Sequence, residues 1–176
     1  MTIWSVEHQI DDNLAMVTLK NFNYKDPVIY FDGSRRQETW QIPEADFYQQ
    51  SSTTKIVNFP FFKHGALLCD SDTWDALRSS VGTEIEALPV NVASHRFWLL
   101  NLVSIIDCLN KQVCKFTYFR TGKVKSIESY SFNLEKLKGV HLFKTPELSA
   151  TSIYATDLFR DLVLAHGFSG VTFKPL

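Results

Sequence analysis

The residues that could do chemistry are spread thinly along this chain. The five histidines are His8, His64, His95, His141 and His166. They do not form HxH, HExxH or any other metal-binding spacing. The sequence also contains no GxSxG nucleophile elbow, no P-loop and no GxGxxG turn. The pattern therefore carries no catalytic, metal or cofactor signature. A site assembled from distant residues, such as a Cys–His pair, stays open because a sequence does not show such contacts.

Three further polar features have simple structural interpretations. The Gly33–Arg36 stretch, GSRR, could bind an anion, but an exposed turn with solvated arginines is the favoured interpretation. Three cysteines without CxxC spacing favour buried free thiols over a disulfide or a metal site. The paired carboxylates predict, in chain order, a turn, a helix cap and an exposed strand face: Asp11/Asp12, Asp70/Asp72 and Glu84/Glu86.

Basic residues concentrate in the second half of the chain. Residues 1–90 carry a net charge of −6 and residues 91–176 carry +5. Such asymmetry can orient a charged partner, although the two halves could equally complement each other within the fold. Cations and aromatics interleave at Lys115, Phe116, Tyr118, Arg120, Lys123, Lys125 and Tyr130. Strand alternation explains this mixture, and a pI near 6.5 argues against nucleic acid as a partner.

The elements that must position these residues predict an α+β fold. It comprises a mostly antiparallel sheet, in one or two lobes, with two principal helices at about 71–81 and 157–166. The apolar run Arg96–Cys108 is predicted to be its central strand. Ser71 and Thr156 are the predicted N-caps, and Gly167 predicts a Schellman ending for the second helix. On the second helix Leu158, Phe159, Leu162 and Val163 are expected to face inward.

The other predicted strands are short. They are Ile3–His8, Leu14–Leu19, Val28–Phe31, Ala66–Cys69, Glu84–Val92, a hairpin of Val113–Arg120 with Val124–Phe132, Val140–Phe143, Ser152–Tyr154 and Val171–Phe173. Pro89 favours an edge or a strand end. Ser34–Thr54 is predicted to be a long surface connection with a short irregular piece at 40–47. The 176 residues fit one domain, or a β-rich lobe over 1–57 and an α+β lobe over 58–176.

The order of landmarks from residue 58 onward resembles one known family. The segments LLCDSDTWDALRSSVG, IEALPVNV, FWLLNLVSIIDCLN, GVHLFKTPE and SIYATDLFRDLVLAHGFSGVTF follow one another. This succession resembles the bacterial "immunity eleven" family of polymorphic toxin systems. The family features fall at Ser71, Pro89, Leu100-Asn101, Asp107, Phe143, Gly167 and Gly170. Lys111-Gln112-Val113 stands where the family usually has a serine, which is a departure from the pattern.

The resemblance implies a non-catalytic antidote that binds and neutralises a cognate toxin or effector protein in the cytoplasm of the producing cell. From the residues themselves, no cofactor, metal, nucleic-acid partner or membrane partner is expected, and the oligomeric state is left unknown. Two alternatives stay open: a small cytosolic enzyme with a dispersed active site, and a regulatory binding module unrelated to toxins. An antidote must match one toxin, so binding residues should lie outside the family landmarks. Since aromatics and arginines are usual interface anchors, the predicted partner-binding residues are Asp32, Arg35, Arg36, Trp40, Asp46, Phe47 and Tyr48.

Overall fold

A computed structural model describes residues 1–11, 13–20, 30–48 and 53–176 of the chain. These ranges contain eleven strands, two α-helices (α1 Ser71–Val81 and α2 Asp157–Ala165) and two 3-10 helices (Leu134–Leu137 and Pro146–Leu148). The strands are β1 Ile3–His8, β2 Met16–Leu19, β3 Glu44–Tyr48, β4 Leu67–Asp70, β5 Ile85–Val92, β6 His95–Leu102, β7 Lys115–Tyr118, β8 Val124–Ser129, β9 Leu142–Phe143, β10 Tyr154–Thr156 and β11 Val171–Pro175. The predicted α+β class with two principal helices is confirmed.

The strands form three sheets. A five-stranded sheet has the order β2-β3-β5-β6-β4, and a four-stranded sheet has the order β11-β1-β10-β9. The hairpin β7–β8 forms a third, two-stranded sheet. Neighbouring strands are antiparallel except for the β3–β5 pair, which is parallel. Both large sheets therefore combine strands from residues 1–57 with strands from residues 58–176.

Strand β6 is the central element that the apolar run predicted. It pairs with β5 over eight positions and with β4 on its other edge. Leu100 and Leu102 join one hydrophobic cluster while Phe97 and Leu99 join another, so both faces are covered. The prediction that the strand continues to Cys108 was wrong. β5 begins opposite Leu102, so the following residues have no ladder partner there.

Helix α1 forms where the polar and apolar pattern predicted it, but its cap is different. The Asp70 carboxylate accepts a hydrogen bond from the amide of Thr73 at 2.7 Å, so Asp70 is the N-cap and the prediction of Ser71 was wrong. Ser71 is instead the first helical residue, and its hydroxyl donates to the Arg96 carbonyl. The apolar stripe of the helix lies on the sheet, with Leu77 and Val81 fully buried.

Helix α2 begins and ends largely as its sequence predicted. Thr156 caps its first turn, and Gly167 has a φ of +67°. The amide of Phe168 donates to the Val163 carbonyl and that of Gly167 to the carbonyl of residue 164, which is the Schellman pattern. One inward residue was predicted wrongly. Leu158 is 47% exposed, because it lies one position away from the stripe that buries Phe159.

The first third of the chain departs most from prediction. β1 is confirmed, while β2 starts at Met16 because Leu14 forms only an isolated bridge with Lys55. Half of the predicted strand Val28–Phe31 lies outside the described residues, and residues 30 and 31 belong to no strand. The prediction of a long surface connection over Ser34–Thr54 was wrong, because residues 44–48 of this stretch form β3.

The second half follows the predicted order of elements. The predicted hairpin is confirmed as β7–β8. The observed strands β9, β10 and β11 begin and end within two residues of the bounds predicted from the sequence. Pro89 lies inside β5 rather than at its end, but β3 pairs only with Asn91 and Val92, so the outer edge of β5 is open at Pro89. The cysteines are free and buried, as predicted.

Candidate functional site

The segment predicted to bind the partner runs over one face of the five-stranded sheet. Phe31 is 1% exposed and packs in the cluster that also contains Leu88, Val90 and Leu99. The loop of residues 32–40 therefore has a buried anchor at its start. It lies over the two strands, β5 and β6, that are most firmly paired.

A buried carboxylate holds the middle of this loop. Glu86, on β5, is 5% exposed and accepts hydrogen bonds from the backbone amides of Arg36 (2.6 Å) and Gln37 (3.0 Å). Asn101, on β6, donates from its amide nitrogen to Glu86 at 2.9 Å and to the Ser34 carbonyl at 2.9 Å. Burial acts to raise the pKa of Glu86, but the hydrogen bonds from Asn101 and the two amides outweigh it and lower the pKa.

The GSRR turn thus binds an anion that belongs to the protein itself. The amide of Arg36, its last residue, and that of Gln37, the residue after it, face the Glu86 carboxylate. The Arg36 side chain turns back to donate to the Tyr30 carbonyl at 2.7 Å. Arg36 also lies 3.6 Å from Asp32 and is only 18% exposed. The prediction of a turn with solvated arginines is therefore wrong for Arg36, although Arg35 is exposed.

A buried lysine supports the start of the loop from the other side. Lys144 is 0% exposed, and its ammonium group donates to the carbonyls of Phe31 and Gly65. Desolvation lowers its pKa to about 8, and the charge of Asp32 opposes that shift. Partial burial acts to raise the pKa of Asp32, but hydrogen bonds from Ser34 and the charge of Arg36 lower it overall.

Trp40 closes the open edge of β5. Its indole nitrogen donates to the Pro89 carbonyl at 2.8 Å, and its ring lies 6.4 Å from that of Phe31. Because β3 does not reach Pro89, this carbonyl has no strand partner on that side. The tryptophan supplies the missing donor, and it is half-buried in doing so.

Strand β3 divides the remaining predicted residues between its two faces. Phe47 points inward and makes an edge contact with Phe97, with ring centroids 5.7 Å apart. Asp46 and Tyr48 point outward, as the period of two requires. Asp46 pairs with Lys20 at 3.0 Å, and Tyr48 is 55% exposed.

These contacts sort the seven predicted residues by what they do in the fold. Arg36, Trp40 and Phe47 mainly hold the segment in place. Asp32 is half-exposed next to Arg36. Arg35, Asp46 and Tyr48 offer the most accessible side chains. All seven residues lie on the segment 32–48, but their side chains have different contacts and different exposure.

A family comparison bears directly on this arrangement. The family model described as "Immunity protein family (Imm11)" matches residues 84–176, just over half of the chain. The chain belongs to this immunity protein family. The suspected resemblance is thereby confirmed, with a shorter matched region than the 58–176 predicted. A search among curated proteins finds no match to this chain.

The Imm11 match separates the supports of the loop from the loop itself. Glu86, Pro89, Asn101 and Lys144 lie inside the matched region, whereas the whole segment 32–48 lies outside it. The matched region is thus the frame that holds an unmatched segment.

Sequence reasoning missed the supports of this Imm11 protein. The Glu84/Glu86 pair was predicted to be an exposed strand face, and this was wrong. Glu84 accepts from the backbone amides of His141 and Leu142, both at 2.7 Å. Each carboxylate therefore binds two consecutive amides of a distant segment. No local sequence signal distinguishes such a role from solvent exposure.

A surface cavity lies beside the candidate segment. It has a volume of about 390 Å³ and is lined by Phe47, Ile56, the start of α1 at residues 70–72 and the start of β6 at residues 95–97. Ile56 is 55% exposed at its rim. The cavity is lined by apolar side chains and by the charged residues Asp70, Asp72 and Arg96. It extends the accessible surface from β3 toward the N-terminus of α1.

A second cavity, of about 280 Å³, brings together two histidines that are far apart in sequence. His8 lies with Nε2 3.2 Å from the Ala66 carbonyl, which requires an N–H at that nitrogen. Its ring meets Phe61 edge-on, and Phe61 in turn meets His64. Burial lowers the pKa of His8, so it is neutral near pH 7. These contacts explain His8 as a support between β1 and residues 61–66, the segment that precedes β4.

Metal binding and membrane spanning are two further properties on which the described ranges bear. No group of three histidine, cysteine or carboxylate side chains there could hold a metal ion. None of the described helices is both long and apolar enough to span a membrane.

Proposed function

We propose that this protein is an immunity protein that binds a cognate toxin and neutralises it by direct contact. Membership of the Imm11 family is the observation that carries this proposal. On this proposal the protein acts in the cytoplasm of the cell that makes the toxin, catalyses no reaction and needs no cofactor. Its specificity then depends on a surface, so the surface must be both exposed and rigid.

The segment of residues 32–48 meets both requirements. Glu86 and Lys144 hold its first half through buried hydrogen bonds, and strand pairing with β2 holds its second half. Ordering the segment in advance removes an entropic cost that a flexible loop would have to meet on binding. We therefore assign toxin contact to the exposed side chains of Arg35, Asp46 and Tyr48, supported by Arg36, Trp40 and Phe47 and flanked by Asp32.

The chemistry of this surface suits a protein partner. Tyr48 offers a large exposed ring with a polar end, which is a common interface anchor. The Asp46–Lys20 pair is about half exposed on both sides, so a partner can compete for either charge without breaking a buried contact. The neighbouring cavity of about 390 Å³ could accept one side chain of the partner.

The class of function is tested by co-expression with the product of the neighbouring gene, which is the candidate toxin on this proposal. Bacteria that express the toxin alone should stop growing, and bacteria that express both should grow. The two purified proteins should elute as one complex in size-exclusion chromatography. Failure of both rescue and complex formation would refute the proposal.

The location of the interface needs a separate test, with variants that leave the fold intact. We expect Arg35→Ala, Asp46→Ala and Tyr48→Ala in combination to weaken toxin binding by about 100-fold or more. One interface anchor commonly contributes about 2 kcal/mol, or about 30-fold in affinity, and the effects of neighbouring anchors do not add fully. The matched control is Arg78→Ala, Asp75→Ala and Leu164→Ala, which removes exposed side chains of similar types from the helices. Equal affinity of the two triple variants would show that the interface lies elsewhere.

A further inference from the structure

The hairpin β7–β8 is a second surface that the candidate segment does not include. Among the described residues its two strands pair only with each other, so it stands apart from both large sheets. Its base is secured by a small hydrophobic cluster in which Leu109, Cys114 and Ile127 are buried and Phe116 is packed. Beyond Thr117 the ribbon extends into solvent, where residues 118–123 are all exposed.

The tip of this hairpin has a defined shape. The amide of Gly122 donates to the Phe119 carbonyl at 2.9 Å, and the amide of Phe119 donates to the Lys123 carbonyl at 2.8 Å. Gly122 has a φ of +80°, which the left-handed position of a three-residue hairpin loop requires. The tip is therefore closed by two backbone hydrogen bonds, and its side chains project from an ordered turn.

Charge sets this hairpin apart from the rest of the surface. Residues 115–129 contain four cations and one carboxylate, a net charge of +3. In the described ranges the cations at 115, 120, 123 and 125 form no ion pair. Elsewhere in the described ranges six of the thirteen lysines and arginines do, among them Lys20, Lys111 and Lys138. The hairpin thus presents unpaired positive charge that the fold itself does not neutralise.

Large aromatic rings lie among these cations. Tyr118 is 60% exposed and Phe119 is 54% exposed. Neither ring belongs to the cluster at the base of the hairpin, although the Tyr118 ring lies 6.3 Å from that of Phe116. Exposed aromatics framed by positive charge, on an ordered turn, are the composition of an interface anchor with a charged rim.

The remaining charge of the molecule decides between two kinds of acidic partner. Nucleic acid binding depends on extended neutralisation of phosphates, and a chain with a net charge of −1 offers no long-range attraction to a polyanion. A single cationic projection instead matches a local acidic patch on a protein. We propose that the tip of the β7–β8 hairpin docks Tyr118 and Phe119 onto an acidic face of the toxin. This inference rests on the proposed immunity function.

The test uses the whole chain of 176 residues and the purified toxin that the co-expression experiment identifies, with binding kinetics measured at two salt concentrations. Tyr118→Ala with Phe119→Ala should speed dissociation by about 30-fold, because buried aromatic anchors act mainly on the lifetime of a complex. Arg120→Gln, Lys123→Gln and Lys125→Gln together should slow association by about tenfold at low salt and flatten its salt dependence. All five side chains are exposed, so circular dichroism should show unaltered folding.

A matched control separates local from overall charge. Arg78→Gln, Lys138→Gln and Lys174→Gln change the net charge by the same amount at exposed positions outside the hairpin. If this control slows association as much as the hairpin variant does, the hairpin has no specific role and the inference fails. Wild-type binding with no effect of either hairpin variant would also overturn it, and would leave the immunity function standing.

Other outcomes are equally decisive. If the wild-type chain does not bind the toxin at all, both the immunity function and the hairpin inference are refuted. A single-stranded oligonucleotide of 20 thymidines serves as a competitor. If it displaces the toxin from the wild type and binds through the hairpin cations, the hairpin is a nucleic-acid site instead. Concentration-dependent dimers that the hairpin variants abolish would identify a second copy of the chain as its partner.

Discussion

Replacing Glu86 by glutamine should loosen the loop that the proposed function depends on. In the wild type one carboxylate oxygen accepts from Arg36 and Asn101, and the other accepts from Gln37. Glutamine keeps one acceptor oxygen, so one of the three hydrogen bonds is lost and the new amide faces a backbone donor. Hydrogen bonds to a buried charge contribute about 1.5–3 kcal/mol. We expect Glu86→Gln to lower the free energy of unfolding by about 2 kcal/mol.

Urea unfolding at pH 7 measures the loss, and hydrogen exchange locates it. The amides of Arg36 and Gln37 should exchange about tenfold faster or more in the variant, while amides of the central strand β6 change less. The matched control is Glu128→Gln, an exposed glutamate on β8, which should stay within about 0.5 kcal/mol of the wild type. Equal stability of the two variants, with unaltered exchange at residues 36 and 37, would refute the reasoning.

The same contact has a pH signature. The folded-state pKa of Glu86 is lower than its ordinary value of 4.5, so the carboxylate stabilises the fold fully above about pH 4.5. That stabilisation is lost as pH falls through the lower folded pKa. The difference between wild type and Glu86→Gln should therefore shrink as pH falls from 5 toward 3. A difference that stays constant would show that the charge does not contribute.

Three more expectations follow from single contacts. Lys144 has a folded pKa of about 8 against an ordinary 10.5, so the folded protein releases this proton at a lower pH than the unfolded chain does. Between pH 7.5 and pH 9.5 the free energy of unfolding of the wild type should therefore rise by about 2 kcal/mol relative to that of Lys144→Met. Urea unfolding measures the free energy of unfolding of both proteins at each pH. Any contribution from the buried thiols is the same in both proteins, so it cancels from the difference between them. Asp70→Ala should cost about 1 kcal/mol by thermal unfolding because it removes the cap of α1, whereas Ser71→Ala should cost less than about 0.5 kcal/mol. Gly170→Ala should destabilise the fold by more than about 2 kcal/mol, because the added Cβ would lie 2.3 Å from the carbonyl oxygen of residue 59. The control is Gly139→Ala, which also has a positive φ but has open space around it, and it should cost about 1 kcal/mol.

Much of the fold was predictable because its signals are local. Thr156 and Gly167 bound helix α2, and the contacts that make them caps reach only two to five residues along the chain. The β7–β8 hairpin depends on a turn whose glycine occupies a left-handed position. Family membership could be suspected for the same reason, since its landmarks are core strands and helix ends in sequence order. Local rules of this kind do not need the rest of the structure.

That residues 32–48 bind the partner stays a prediction, and the sequence did not give the structural roles of their side chains. Aromatics and arginines in a polar stretch indicated this segment, yet composition could not show that Trp40 donates to Pro89 or that Arg36 turns inward. Strand β3 was missed because its inward residues, Ala45 and Phe47, are too few to make a clear alternation. Its pairing with β2 and β5 supplies what its own sequence lacks.

The sequence by itself determined the class of fold, the central strand, the ends of α2 and the family to which the chain belongs. Only the tertiary structure decided what the buried charges do. Glu86 meets Arg36 across 50 positions of the sequence, and Lys144 meets Phe31 across 113. A carboxylate or an ammonium group has the same sequence signature in solvent as in the core. Its role is fixed only when the fold brings unpaired backbone groups close enough to bind it.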